Sequence, residues 1–317
     1  MKRFGLVLLA LALMVIVGSG IVTAQDEVVF VLAFEQEGAL ANPFNSMTWM
    51  SYLENFYNRD LWEWDGAREA FPVMAAELPT AENGGIGFTE DGNTYIEVTL
   101  REGLMWSDGT PITSADCEAT HYGLWTRESS PNWNRGDYPD QVAGFEIVDE
   151  LTFRVTYNQP LPDGINAPNA PSCQYPAHLI NPTRDAGEII DSDPYWTLEE
   201  GSIGFGPFKV VDREIGAGFT LVQNEYWPEY FQQPVIDRVE VVLIPEVTQE
   251  VNALRVGDID MAMNWTESEI PDFLAIDGVE IWNSPGAYTD SLWIRSGPLV
   301  DVATPARDAL QDLRVRQ

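Results

Sequence analysis

The chain has 317 residues, 45% of them hydrophobic, enough for one large domain or two of ordinary size. Fifty Asp and Glu against 17 Lys and Arg give a formal charge of −33, which excludes a nucleic-acid surface of clustered cations and disfavours adsorption to anionic lipid. Eleven Trp, 11 Tyr and 14 Phe exclude a disordered acidic polymer, which has no such aromatic mass to bury.

Met1-Lys2-Arg3, an apolar run from Phe4 to Val17 and a small-residue end at Val22-Thr23-Ala24 predict a secretory signal over residues 1–24, cleaved before Gln25. The same segment nearly reaches spanning length, so a retained membrane anchor is the alternative. No Cys precedes Cys117, so a lipoprotein is not expected. Without the signal, Lys209 is the only lysine, and a high-salt habitat would screen so acidic a surface.

Val28–Phe34 is a continuous apolar run of strand length. Ser46–Trp62, dense in aromatics, suits a helix. Thr94–Leu100 alternates, with Ile96, Val98 and Leu100 on one face, and predicts a half-buried strand. Asp108-Gly109 marks a turn. Thr113, with Asp116 three residues on, opens a helix running to about Thr126. A hairpin is expected across Phe145–Val148 and Thr152–Tyr157, and Pro160–Pro182 reads as loop. A second hairpin joins Phe208–Asp212 to Phe219–Gln223. A strand follows at Val239–Ile244, a helix at Val247–Arg255 stopped by Gly257, and a short strand at Ile259–Met263. Mixed strands and helices without a repeat give an α/β or α+β class.

Cys117 and Cys173 are the only cysteines, and the expected compartment permits a disulfide between them. Two buried free thiols are the other reading; a reactive Cys117 assisted by His121 lacks an orienting partner. With His121 and His178 as the only histidines, no multi-His metal site is expected, and no cofactor is expected either.

Five motifs occur in order: Thr94–Pro111, extended by Thr113-Ser114-Ala115-Asp116; Gly204-Phe205-Gly206-Pro207-Phe208-Lys209-Val210-Val211; Asn224-Glu225-Tyr226-Trp227; Gly257-Asp258-Ile259-Asp260; and Asp312-Leu313-Arg314-Val315-Arg316-Gln317. Together they resemble the family 5 extracellular solute-binding proteins, the peptide, nickel and oligosaccharide receptors of ABC importers. Physically, Gly109 suits a turn with positive φ, and Gly204 and Gly206 shape the approach to a strand, since no phosphate-loop spacing accompanies them. Tyr226 and Trp227 are expected to pack under a loop.

The resemblance implies an α/β, two-lobed periplasmic-binding-protein-like fold of type II with an inserted subdomain. Residues 25–60 and 190–265 would form a discontinuous first lobe, 61–189 the insertion, and 266–317 the start of a second lobe that is largely missing. It further implies a monomeric receptor outside the cytoplasm, with no chemistry of its own, that delivers an oligopeptide or similar solute to a membrane permease. An oligosaccharide ligand is the runner-up. A secreted glycosidase with paired carboxylates is the alternative from another class, and a surface-anchored interaction module is a third.

Glu35 and Gln36, just after the first strand, are candidate ligand contacts by position. Trp49, Trp265 and Tyr288 are candidates to stack on a ligand ring or apolar group. Glu267 and Glu269 form an acidic pair able to attract a cation.

Overall fold

A computed structural model describes residues 27–35, 50–125, 141–167, 170–190, 195, 203–214, 216–263 and 268–281. Residues 1–279 form one compact unit and 280–317 another, and the elements below belong to the first.

The apolar run near the start forms strand β1 (Val29–Phe34). Helix α1 (Met50–Tyr57) is followed by two short strands, β2 (Trp62–Trp64) and β3 (Ala70–Pro72). The aromatic-rich segment is therefore helical only in part, because Trp62 pairs with Pro72 in a hairpin instead of extending the helix. Strands β4 (Ile86–Phe88) and β5 (Thr94–Thr99) precede helix α2 (Ser114–Trp125). Strands β6 (Val142–Ile147) and β7 (Thr152–Tyr157) form the expected hairpin. Helix α3 (Ala177–Asp185) corrects the loop expected over 160–182. It starts directly after Pro176, whose extended backbone is a natural helix boundary, and it tolerates Pro182 inside. Strands β8 (Phe208–Glu214), β9 (Gly218–Gln223) and β10 (Arg238–Leu243), helix α4 (Val247–Val256), strand β11 (Met261–Ala262) and helix α5 (Ile270–Leu274) complete the unit.

Two larger sheets organise these elements. The first has the order β11-β1-β10-β9-β8, with β1 parallel to β10 and β11 and the β10-β9-β8 run antiparallel. Buried on both faces, β1 carries Leu32, Ala33 and Phe34 at no more than 1% exposure, which explains its unbroken apolar sequence. Helix α1 lays Leu53 and Tyr57 on this sheet against Phe208, Val210, Leu221, Val239 and Val241.

The second sheet, β4-β5-β7-β6, is antiparallel and buries one face. Ile96, Val98, Phe153, Val155 and Tyr157 point into a core shared with Leu104, Trp106, Cys117 and Cys173. The alternating residues Glu97 and Arg154, on the outward face, pair at 2.5 Å. Period-two patterning thus translates directly into one wet face and one dry face.

The two sheets are joined by a close backbone contact at Gly204 and Gly206. A Cβ on Gly204 would lie 2.2 Å from the Tyr57 carbonyl oxygen, and one on Gly206 would lie 2.5 Å from the Tyr57 carbonyl carbon. The absence of a side chain, more than any need for unusual φ, makes glycine the fitting residue there. Asn58 and Asn224 tie the same junction. The Asn58 amide donates to the Gln174 carbonyl at 3.2 Å, and the Asn224 amide donates to the Gly206 carbonyl at 2.9 Å. Trp227 is buried and stacks on Phe231 at 4.7 Å, whereas Tyr226 remains 37% exposed beside Gly109.

Cys117 on α2 and Cys173 are bonded to each other. The segment around Cys173 is further pinned by buried acceptors. The Asp60 carboxylate accepts from the Ser172 hydroxyl at 2.7 Å and from the Leu61 and Cys173 backbone amides at 2.7 and 2.8 Å. Asp116 accepts from the Trp106 indole at 3.1 Å and from the Thr113 and Ala177 amides, both at 2.7 Å. The bond to Thr113 is the return half of the expected capping box. Burial raises the pKa of both carboxyls even against these donors.

Candidate ligand-binding site

Parallel strands collect their carboxyl ends at one edge of a sheet, and the connections leaving that edge form the usual ligand crevice. Here β1, β10 and β11 share one direction, so Glu35, the Ile244-Pro245-Glu246 connection and Met263 emerge together. The edge is held firmly. Ile244 donates its amide to the Phe34 carbonyl at 2.8 Å, extending the β1–β10 ladder. Asp260 grips β1 twice, its amide donating to the Val31 carbonyl and its carboxylate accepting from the Val31 amide, each at 2.8 Å.

Helix α4 leaves this edge and closes at Gly257, which adopts the left-handed conformation with φ 81°. Asp258 caps the last turn by donating to the Ala253 carbonyl at 2.9 Å. The inward stripe of α4 falls at i, i+3, i+4 and i+7, namely Val247, Glu250, Val251 and Leu254. Three of the four are apolar. The fourth, Glu250, is only 1% exposed, and neither carboxylate oxygen has a hydrogen-bond partner.

Two further acids act on it. Glu35, half-buried, ends β1, and Glu269, also half-buried, stands at the start of α5. Burial, followed by repulsion from Glu35 and from Glu269, pushes the Glu250 carboxyl up from 4.5 to about 7. A carboxylate taken from water without donors costs several kcal/mol, so this one must hold a proton or meet a positive group.

Of the residues singled out in the sequence, the structure therefore brings Glu35 and Glu269 together around Glu250. Gln36, Trp49, Trp265, Glu267 and Tyr288 lie outside the described residues. Glu250 escaped sequence reading because an acid near a helix start ordinarily faces solvent. Its signal was its place at the i+3 position of an otherwise apolar stripe.

Glu54, Cys117 and His121 are tied into the fold. Burial and the neighbouring Asp60 raise Glu54 to about 7, yet the oxygens of Asp60 are already committed to Leu61, Ser172 and Cys173, so the pair offers no free acid and base. The disulfide removes Cys117 as a nucleophile. His121 packs against Phe145 with the rings tilted and their centroids 5.2 Å apart, and burial holds its pKa down at about 4, so it is neutral at ordinary pH. Among the described residues, no group of three or more His, Cys, Asp or Glu is placed to hold a metal ion, and no helix is long and apolar enough to cross a membrane.

Comparison with known proteins matches residues 71–317 to the family model of bacterial extracellular solute-binding proteins, family 5, middle region. The chain belongs to this family. Its members are transport receptors without enzymatic activity of their own. The oligopeptide-binding protein OppA of Bacillus subtilis is 24% identical over 203 residues, covering 60% of this chain and 34% of that protein. The periplasmic oligopeptide-binding protein OppA of Salmonella typhimurium is 26% identical over 206 residues, covering 56% and 35%. The chain thus spans about a third of the length of these relatives. Among solved structures, the oligopeptide-binding protein of Thermus thermophilus complexed with a pentapeptide superposes with a TM-score of 0.61. It is 22% identical, and the match covers 73% of this chain and 44% of that one. The fold is accordingly the α/β fold of the two-lobed periplasmic binding proteins, as the ordered motifs imply.

Proposed function

We propose that the chain belongs to a monomeric extracytoplasmic receptor that captures an oligopeptide and passes it to the membrane permease of an ABC importer. The observation that carries this reading is the family match together with two relatives named for oligopeptide binding. The carboxyl edge of β1, β10 and β11 is where a receptor of this fold receives its solute, with closure by hinge motion. In this reading residues 25–60 and 190–265 form the first lobe, 61–189 its insertion, and 266–317 the beginning of a second lobe. Residues 1–24 act as the export signal. In the same reading Glu35, Gln36, Trp49, Trp265 and Tyr288 are the candidate ligand contacts.

The runner-up, an oligosaccharide, gains no support from these likenesses. Thermal unfolding of the purified protein against a peptide library tests the proposal. A peptide at about 100 times its dissociation constant adds ~2.7 kcal/mol, which raises the melting temperature by several degrees. Stabilisation by oligosaccharides but not by any peptide would replace the ligand class, and hydrolysis of a glycoside would overturn the receptor reading.

A further inference from the structure

The acids at the carboxyl edge of the parallel strands bear on which ligands the receptor takes. Acids from three separate elements meet at this edge, where Glu35 after β1 and Glu269 before α5 both repel the carboxyl of Glu250 in α4. The innermost is almost fully enclosed, with both oxygens unsatisfied. Such a group is costly unless something donates to it.

Among the described residues, no side chain donates a hydrogen bond to either carboxylate oxygen of Glu250. The segments that continue from this edge, residues 36–49 and 264–267, contain Glu37 and Glu267 but no Lys, Arg or His. Arg255, the only basic residue of α4, is exposed and donates to Asn252 at 2.7 Å. Among the described residues these acids do not make a metal cage. Besides a proton, the group that can meet this carboxyl is a cation that brings its own donors and a long stem: an alkylammonium or a guanidinium.

We propose that Glu35, Glu250 and Glu269 form a subsite for a positively charged organic group of the ligand, so that the receptor selects basic peptides. The proposal rests on the peptide-receptor reading and adds a charge preference to it. An incoming ammonium or guanidinium replaces the missing donors of Glu250. Glu35 and Glu269, both half-buried, complete its neutralisation. The preference is local, and it differs from the attraction that the whole acidic surface exerts on any cation, which salt suppresses.

The test is calorimetric titration at about 0.5 M salt, where the general field is screened, with trilysine, N-acetyl-trilysine and trinorleucine as probes. The native protein is expected to prefer trilysine to trinorleucine by ~10- to 100-fold, the range of a charge-assisted hydrogen bond. In Glu250→Gln this ratio collapses toward one. Glu35→Gln, which alters a half-buried residue and puts less of the fold at risk, lowers it in the same direction. Trinorleucine has the same free terminus, so the preference reports a side-chain ammonium and is expected to persist in N-acetyl-trilysine; its loss on acetylation overturns the side-chain assignment. Equal binding of trilysine and trinorleucine, or a ratio unchanged in Glu250→Gln, overturns the subsite and leaves peptide reception intact. Failure of every peptide to bind overturns both.

Discussion

Replacing both Cys117 and Cys173 with Ala has a magnitude that follows from the chain path. The two residues are 56 apart, and cross-linking a loop of that length removes ~4 kcal/mol of conformational entropy from the unfolded chain. Both side chains are fully buried in the core between α2 and the four-stranded sheet, so their truncation leaves a small void costing ~1 kcal/mol more. The expected loss is therefore ~4–5 kcal/mol, a large share of the stability of an ordinary domain. Urea denaturation followed by tryptophan fluorescence reads it directly, because Trp106 lies in that same core. In the double variant the first loss of signal moves to lower urea, and reducing agent no longer changes it. A loss below about 1 kcal/mol would refute the argument. It would mean that the hydrogen bonds of Asp60 and Asp116, with those the Thr120 hydroxyl accepts from the Gln174 and Tyr175 amides, hold residues 172–177 without help from the covalent link.

Further outcomes follow from the same contacts. Gly206→Ala drives a methyl group into the Tyr57 backbone and should cost at least ~3 kcal/mol, measured by thermal unfolding, with φ playing no part. Asp116→Asn keeps an oxygen for Trp106 and Ala177 but turns an amide donor toward the Thr113 amide; a loss of ~2 kcal/mol is expected in chemical denaturation. His121 has a folded-state pKa near 4 against 6.5 for the free side chain, so only the unfolded chain takes up its proton between those values. Stability should fall as pH drops from 6.5 to 4, by ~2 kcal/mol after allowing for partial solvent access. In His121→Phe, which keeps a ring against Phe145, stability profiles against pH should lose that decline.

Much of the fold was legible because one-face burial leaves a periodic trace. Ile96, Val98 and Leu100 are all buried and alternate with half-buried Tyr95 and Glu97 and exposed Thr99, and Gly257 stops α4 in the left-handed conformation. Helix α3 was hidden because Pro176, Asn181 and Pro182 are loop-forming residues by composition, and its position is set by tertiary bonds such as Asp116 to the Ala177 amide. Strands β2, β3 and β4 have three residues each, too few to display a period. Gly204 and Gly206 were read as shaping a strand, yet their requirement comes from a helix end nearly 150 residues earlier. The candidate site was half legible. Glu35 stood out by its place after a strand, but its relation to Glu250 and Glu269 exists only once the parallel sheet brings three distant segments to one edge.

The position of β1 in that sheet also sets a timetable for synthesis. Val28 bonds to Asp237, 209 residues later, and Val31 bonds to Asp260, 229 residues later. At roughly 5–20 residues per second, a strand emerging near the start of translation waits on the order of ten to forty seconds for the neighbours that will flank it. The antiparallel module of β4 to β7 is complete long before then. Throughout that interval the most apolar strand of the larger sheet lacks its native neighbours, so that sheet is the last part of the unit able to close.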